Sequence, residues 1–200
     1  MSDQSRAEAF RDEIQRKIRN LLNEFGEGKI SNEQFNILYE RYNNQLLLAN
    51  SAIEGKGPQG GDMSTIAIRE ATTGRALGLA IYHHRSGIML ETLGNFDLPA
   101  DVISPVLNAF SEKLEQRIFV DPHIQQLDQQ RGQWVVFMAR LYTTAIVIFQ
   151  HEPAKQQIRD LERLLHDFEE ANRRMLETNH VNPKKLAWPF VGFVKRKLNT

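Results

Sequence analysis

Two hundred residues, 41% of them hydrophobic and 25% charged, are enough for a real core in one domain with appendages or two small ones. The 25 basic and 25 acidic side chains cancel, which argues against nucleic acid as a partner and against any global pull toward anionic lipid, although a local patch stays open. There is no cysteine, so disulfides, thiolate zinc sites and cysteine nucleophiles are excluded together.

The start, MSDQSRAEAFRDE, is polar and acidic and lacks the apolar stretch of a secretory signal, so a cytoplasmic protein is expected. Residues 6–25 predict an amphipathic helix, because Phe10, Ile14, Ile18, Leu21, Leu22 and Phe25 recur at spacings of three and four. Gly26 and Gly28 end it. Ser31, with Gln34 three residues on, is a capping box that opens a second helix to about Ile53, burying Phe35, Leu38, Tyr39, Tyr42, Leu46 and either Leu47 or Ala49. So short a turn makes the two helices an antiparallel hairpin, residues 1–55. The segment LLNEFGEGKISNEQFNILYERYNNQL, residues 21–46, resembles the short helical hairpins of the SHOCT type, which implies an oligomerisation or interaction module.

Residues 56–63 form a glycine-rich linker and a domain boundary. From Ser64 the period becomes strand-like, with an edge strand expected over Ser64–Thr72. ALGLAIYHH-RSG-IMLETL, from Ala76 to Leu93, is the clearest β-hairpin. Leu77, Leu79 and Ile81 are expected on one face, and Gly78, Ala80 and Tyr82 on the other. Such a small-residue face lets a helix or a partner subunit approach closely. A helix over Asp101 to about Ile118 follows, burying Val102 or Ile103, Val106, Phe110 and Leu114; residues 119–132 read as a polar loop.

Trp134–Phe149, WVVFMARLYTTAIVIF, is the most apolar and β-prone run in the chain. It is shorter than the roughly 20 residues a membrane-spanning helix needs, and a pair of buried strands turning near Arg140–Thr143 accounts for it. Pro153 opens a long helix to about Leu176, whose stripe of Ile158, Leu161, Leu165, Phe168, Asn172 and Met175 either packs across the sheet or also pairs with a symmetry mate. Asn172 sets a register there or marks where the helix leaves the core. The tail, residues 179–200, has no acidic residue after Val181. It interleaves Lys184, Lys185, Lys195, Arg196 and Lys197 with Trp188, Phe190 and Phe193, which suits packing onto the domain or a peripheral contact with a membrane or partner.

The expected fold class is therefore α+β, an antiparallel sheet of about five strands with helices packed on it, plus the N-terminal αα-hairpin. The hairpin around a small-residue strand, the helix after the LGN-type loop, the second antiparallel pair and the long last helix resemble the profilin-like architecture of roadblock, longin and PAS-like domains, over residues 64–178. Roadblock is the nearest likeness, and it implies a dimeric scaffold that binds or regulates small GTPases. The linker and edge strand before the first hairpin depart from that pattern.

Individual residues add no catalytic signature, metal site or cofactor motif. His83 and His84, adjacent in a strand, point to opposite faces and cannot share one metal, so a solvated turn is expected. His166 with Asp167, and the pair Glu169-Glu170, read as exposed helix surface. The function expected is a non-catalytic regulatory or scaffold protein that self-associates through Gly78, Ala80, Tyr82, Leu161, Leu165 and Phe168. The alternatives are a small-molecule sensor with a pocket near Tyr82, Phe110, Trp134 and Phe137, and a membrane-peripheral adaptor acting through the tail.

Overall fold

The computed structural model describes residues 3–53, 74–115, 120–128 and 132–190. Helix α1 (Asp3–Gly26) closes in a Schellman turn: Gly28, at φ 74°, donates to the Phe25 carbonyl, and Lys29 N–H donates to that of Glu24, both at 2.9 Å. Helix α2 (Asn32–Ile53) opens on the capping box read from the sequence. Gln34 N–H donates to Ser31 Oγ at 3.2 Å, and Ser31 N–H donates to Gln34 Oε1 at 2.9 Å.

Five strands follow: β1 (Ala76–His83), β2 (Met89–Gly94), β3 (His123–Asp128), β4 (Gln133–Ala139) and β5 (Thr143–Phe149). They form one antiparallel sheet in the order β2-β1-β5-β4-β3. Helix α3 (Ala100–Glu115) joins β2 to β3, and α4 (Lys155–Leu176) follows β5. All seven residues of β5 are buried, because it lies at the centre of the sheet with both faces covered; this is why Trp134–Phe149 is so apolar.

Side chains alternate between two cores. Leu79, Ile81, Val136, Met138, Val147 and Phe149 face α4, and the same cluster continues into Ile14, Ile18, Phe35, Tyr39 and Leu46 of the helical hairpin. Val135, Phe137 and Ile146 face Ile103 and Phe110 of α3. Helix α4 is thus a middle layer between the sheet and the hairpin, and residues on several of its sides are buried. The hairpin shares one continuous core with the sheet across α4.

Three expectations need correction. The fifth strand is β3, inside the stretch read as a polar loop; its backbone pairs with β4, with Ile124 opposite Val136 and Gln125 opposite Val135. Leu77 does not join Leu79 and Ile81 in the α4-side core: the β1–β5 register shifts between Ala76 and Gly78, and Ala76 is buried there while Leu77 is half-buried. Asn172 neither sets a register between copies nor leaves the core, as described below. The linker, the edge strand over 64–72, the helix extension to Ile118, and Phe193, Lys195, Arg196 and Lys197 lie outside the described residues.

Candidate functional site

Of the six residues expected to form an interaction surface, Tyr82 alone is not fully buried. A Cβ at Gly78 would lie 2.1 Å from the Asn95 carbonyl oxygen and 2.9 Å from Phe96 N, so the chain's own loop fills that small-residue face. Ala80, Leu161, Leu165 and Phe168 are all inaccessible. Tyr82, Phe110 and Phe137 do share the α3-side core, whereas Trp134 packs on the other face of the sheet.

The tail is part of the fold as far as Phe190. Trp188 stacks on Phe168 with ring centroids 4.9 Å apart, and Phe190 tilts against the same ring at 5.9 Å. Asn172 fixes the residue just before them: its Nδ2 donates to the Ala187 carbonyl at 2.9 Å and its Oδ1 accepts from Ala187 N–H at 2.8 Å. From the hairpin, Asn32 Nδ2 donates to the Leu186 carbonyl at 2.6 Å. Lys184 and Lys185 are exposed in a short 3-10 turn, Pro183–Lys185.

The histidine pair points to opposite faces as expected, but it is no solvated turn. His83 is buried, with Nδ1 2.8 Å from Ser86 Oγ and Nε2 2.9 Å from the Leu176 carbonyl. His84 Nε2 lies 2.7 Å from Thr144 Oγ1. Burial pushes its pKa down to about 4, with the neighbouring His83 adding to the fall and the Leu141 backbone opposing it.

The acidic residues read as helix surface are buried as well. Asp167 accepts a short hydrogen bond from the Tyr39 hydroxyl and lies 3.5 Å from Arg163 Nη1, while Arg163 Nη2 donates to Asn43 Oδ1 at 2.8 Å. This cluster joins α2 to α4. Burial raises the Asp167 pKa against the opposing Tyr39 hydrogen bond and the Arg163 charge, and burial with the Asp167 charge lifts Tyr39 well above its usual value. Glu169 Oε1 accepts from Tyr142 N–H, Thr143 N–H and Thr143 Oγ1 at 2.9, 2.8 and 2.8 Å, and so holds the β4–β5 turn. Burial raises its pKa too, against those three bonds. The signal in the sequence was spacing: Asp167 falls three residues after Leu164, and Glu169 four after Leu165, inside the apolar stripe.

Beside the cluster, α1 and α4 flank an open cleft of about 570 Å³. Its floor is Ile18, Leu22 and Leu46, and its walls include Arg19, Arg163, His166, Asp167 and Glu170. Among the described residues the exposed large apolar side chains are not in the cleft lining: Phe10 on α1, Ile37 and Leu48 on the outer face of α2, Ile88 and Met89 at the start of β2, Leu141 in the β4–β5 turn and Ile124 on β3. Among the described residues, no helix is long and apolar enough to cross a membrane, and no group of three or more His, Asp or Glu could hold a metal ion.

The fold and these surfaces define an α+β protein with a five-stranded antiparallel sheet and an N-terminal helical pair. No protein-family model matches the chain, and no curated protein matches it in sequence.

Proposed function

We propose that the chain is a non-catalytic scaffold or regulatory protein that self-associates through the β3 edge of its sheet. The observation carrying this reading is that β3 has a single strand neighbour among the described residues, β4, and that His123, Ile124, Gln125 and Gln126 are exposed. An exposed edge with one row of backbone donors and acceptors unpaired is a template for another strand. A second copy related by a two-fold axis would pair β3 with β3 and continue the sheet, with the side-chain amides of Gln125 and Gln126 near the axis. The run of hairpin, helix, antiparallel strands and long helix is also what the roadblock resemblance rests on, and that resemblance adds a small GTPase as a partner class.

The test is the solution mass of the full chain, whose single-chain mass is 23.1 kDa, beside the variant Ile124→Lys/Gln125→Lys. Twice the single-chain mass for the parent and the single-chain mass for the variant support the reading, because like charges would face each other across the joined edges. A parent that stays at the single-chain mass at tens of micromolar refutes it.

A further inference from the structure

The cleft between α1 and α4 is built for a charge that the chain does not itself supply. Its two acidic residues are already answered: Asp167 by the Tyr39 hydroxyl and Arg163, and Glu170 by Arg173 Nη2 at 3.2 Å. Its cations are less so. Arg19 lines the wall with no hydrogen bond or ion pair to any described residue. Arg163 is fixed by Asn43 and lies 3.5 Å from Asp167, and its Nη1 is buried without a hydrogen-bond acceptor among the described residues. With Asp167 set against Arg163 and Glu170 against Arg173, Arg19 is the lining charge left without a partner among the described residues.

His166 adds a directed donor. Arg140 Nη2 lies 3.1 Å from His166 Nδ1. A guanidinium can only donate, so Nδ1 accepts and the ring proton sits on Nε2. The ring is exposed and lines the cleft. Below these groups, the Ile18, Leu22 and Leu46 floor offers apolar surface to whatever carries the charge.

We propose that this cleft binds a small organic anion, with its carboxylate or phosphate head against Arg19 and His166 and its apolar body on Ile18, Leu22 and Leu46. A volume of about 570 Å³ is of the size that holds such molecules, and charge-assisted bonds to guanidinium and imidazole supply the orientation. The site is on the opposite side of α4 from the sheet, so it is independent of association through β3.

Amide NMR titrations of the full chain with hexanoate, phenyl phosphate, inorganic phosphate and hexylammonium test it. Hexanoate or phenyl phosphate is expected to shift α1 and α4 resonances around Arg19, Leu22 and His166 saturably in the millimolar range, and hexylammonium is not. A response to inorganic phosphate as strong as to phenyl phosphate would overturn the role of the apolar floor. Arg19→Gln and His166→Gln change exposed side chains and leave the Tyr39–Asp167 cluster in place, so both should fold. Arg19→Gln is expected to weaken binding by on the order of tenfold, the usual effect of losing one charged hydrogen bond. No saturable shift with either organic anion, shifts confined to other elements, or unchanged affinity in both variants would overturn the proposal.

Discussion

The side-chain amide of Asn172 pairs with both backbone groups of Ala187, at 2.9 and 2.8 Å, and also donates to the Phe168 carbonyl at 2.8 Å. One buried side chain in the apolar stripe of α4 thereby serves as a one-residue strand partner for the tail. It fixes Leu186, Ala187 and Phe190, all with 0% exposure, against the helix.

Asn172→Ala leaves the buried N–H and carbonyl of Ala187 without partners. It is expected to lower unfolding stability in urea by about 2–4 kcal/mol and to speed tryptic cleavage at Lys184 and Lys185. A loss below about 0.5 kcal/mol, the range of a neutral surface substitution, would mean that the tail is held by its ring packing and by the Asn32 bond to Leu186 without help from Asn172.

Stability should fall on acidification because of His84. In the unfolded chain it titrates near 6.5 and in the fold near 4, so between those values the unfolded chain binds more protons. The loss begins below about pH 6.5, is complete near pH 4, and amounts to on the order of 3 kcal/mol. Asp167 and Glu169 act with the opposite sign, since burial raises both and the fold takes up their protons first as the pH drops. His84→Gln keeps a hydrogen-bonding side-chain amide for Thr144 Oγ1 and removes the histidine contribution, so its urea midpoint should fall less, or rise, over the same window. Identical pH profiles for parent and variant would contradict this.

Two glycine substitutions should separate cleanly. Gly78→Ala forces a Cβ to within 2.1 Å of a backbone oxygen and is expected to cost about 3 kcal/mol or more. Gly28→Ala meets open space and incurs only the left-handed backbone penalty, about 1–2 kcal/mol. Thermal or urea unfolding of both reads the difference; equal costs would mean that the Asn95 loop moves aside.

Glu169→Ala removes one acceptor from three donors, two of them backbone N–H groups of the β4–β5 turn. A loss of about 3 kcal/mol is expected, with faster amide exchange at Tyr142 and Thr143. Unchanged exchange there would assign the order of the turn to the Arg140 N–H to Thr143 carbonyl bond of 2.9 Å.

What was readable in the sequence was local chemistry. Ser31 with Gln34, Gly28, and the alternation in Ala76–His83 each specify an element through neighbours a few residues away. What escaped was set by tertiary partners. HIQQLD has two apolar residues in six and no propensity signal, yet it is a strand because β4 offers it a ladder of backbone groups. Asp167 and Glu169 look like solvated charges until the hairpin covers one side of α4 and the β4–β5 turn meets another. The cleft could not be read at all, since it needs α1 and α4 side by side.

The central claim is that β3 is the joining edge, and hydrogen exchange resolved by strand tests it most directly. Measured on the full chain from low to high micromolar concentration, amides of His123–Leu127 should become protected as concentration rises, while those of Met89–Leu93 on the opposite edge should not. Exchange at β3 that stays fast and independent of concentration, or protection that appears at β2 instead, would contradict the account.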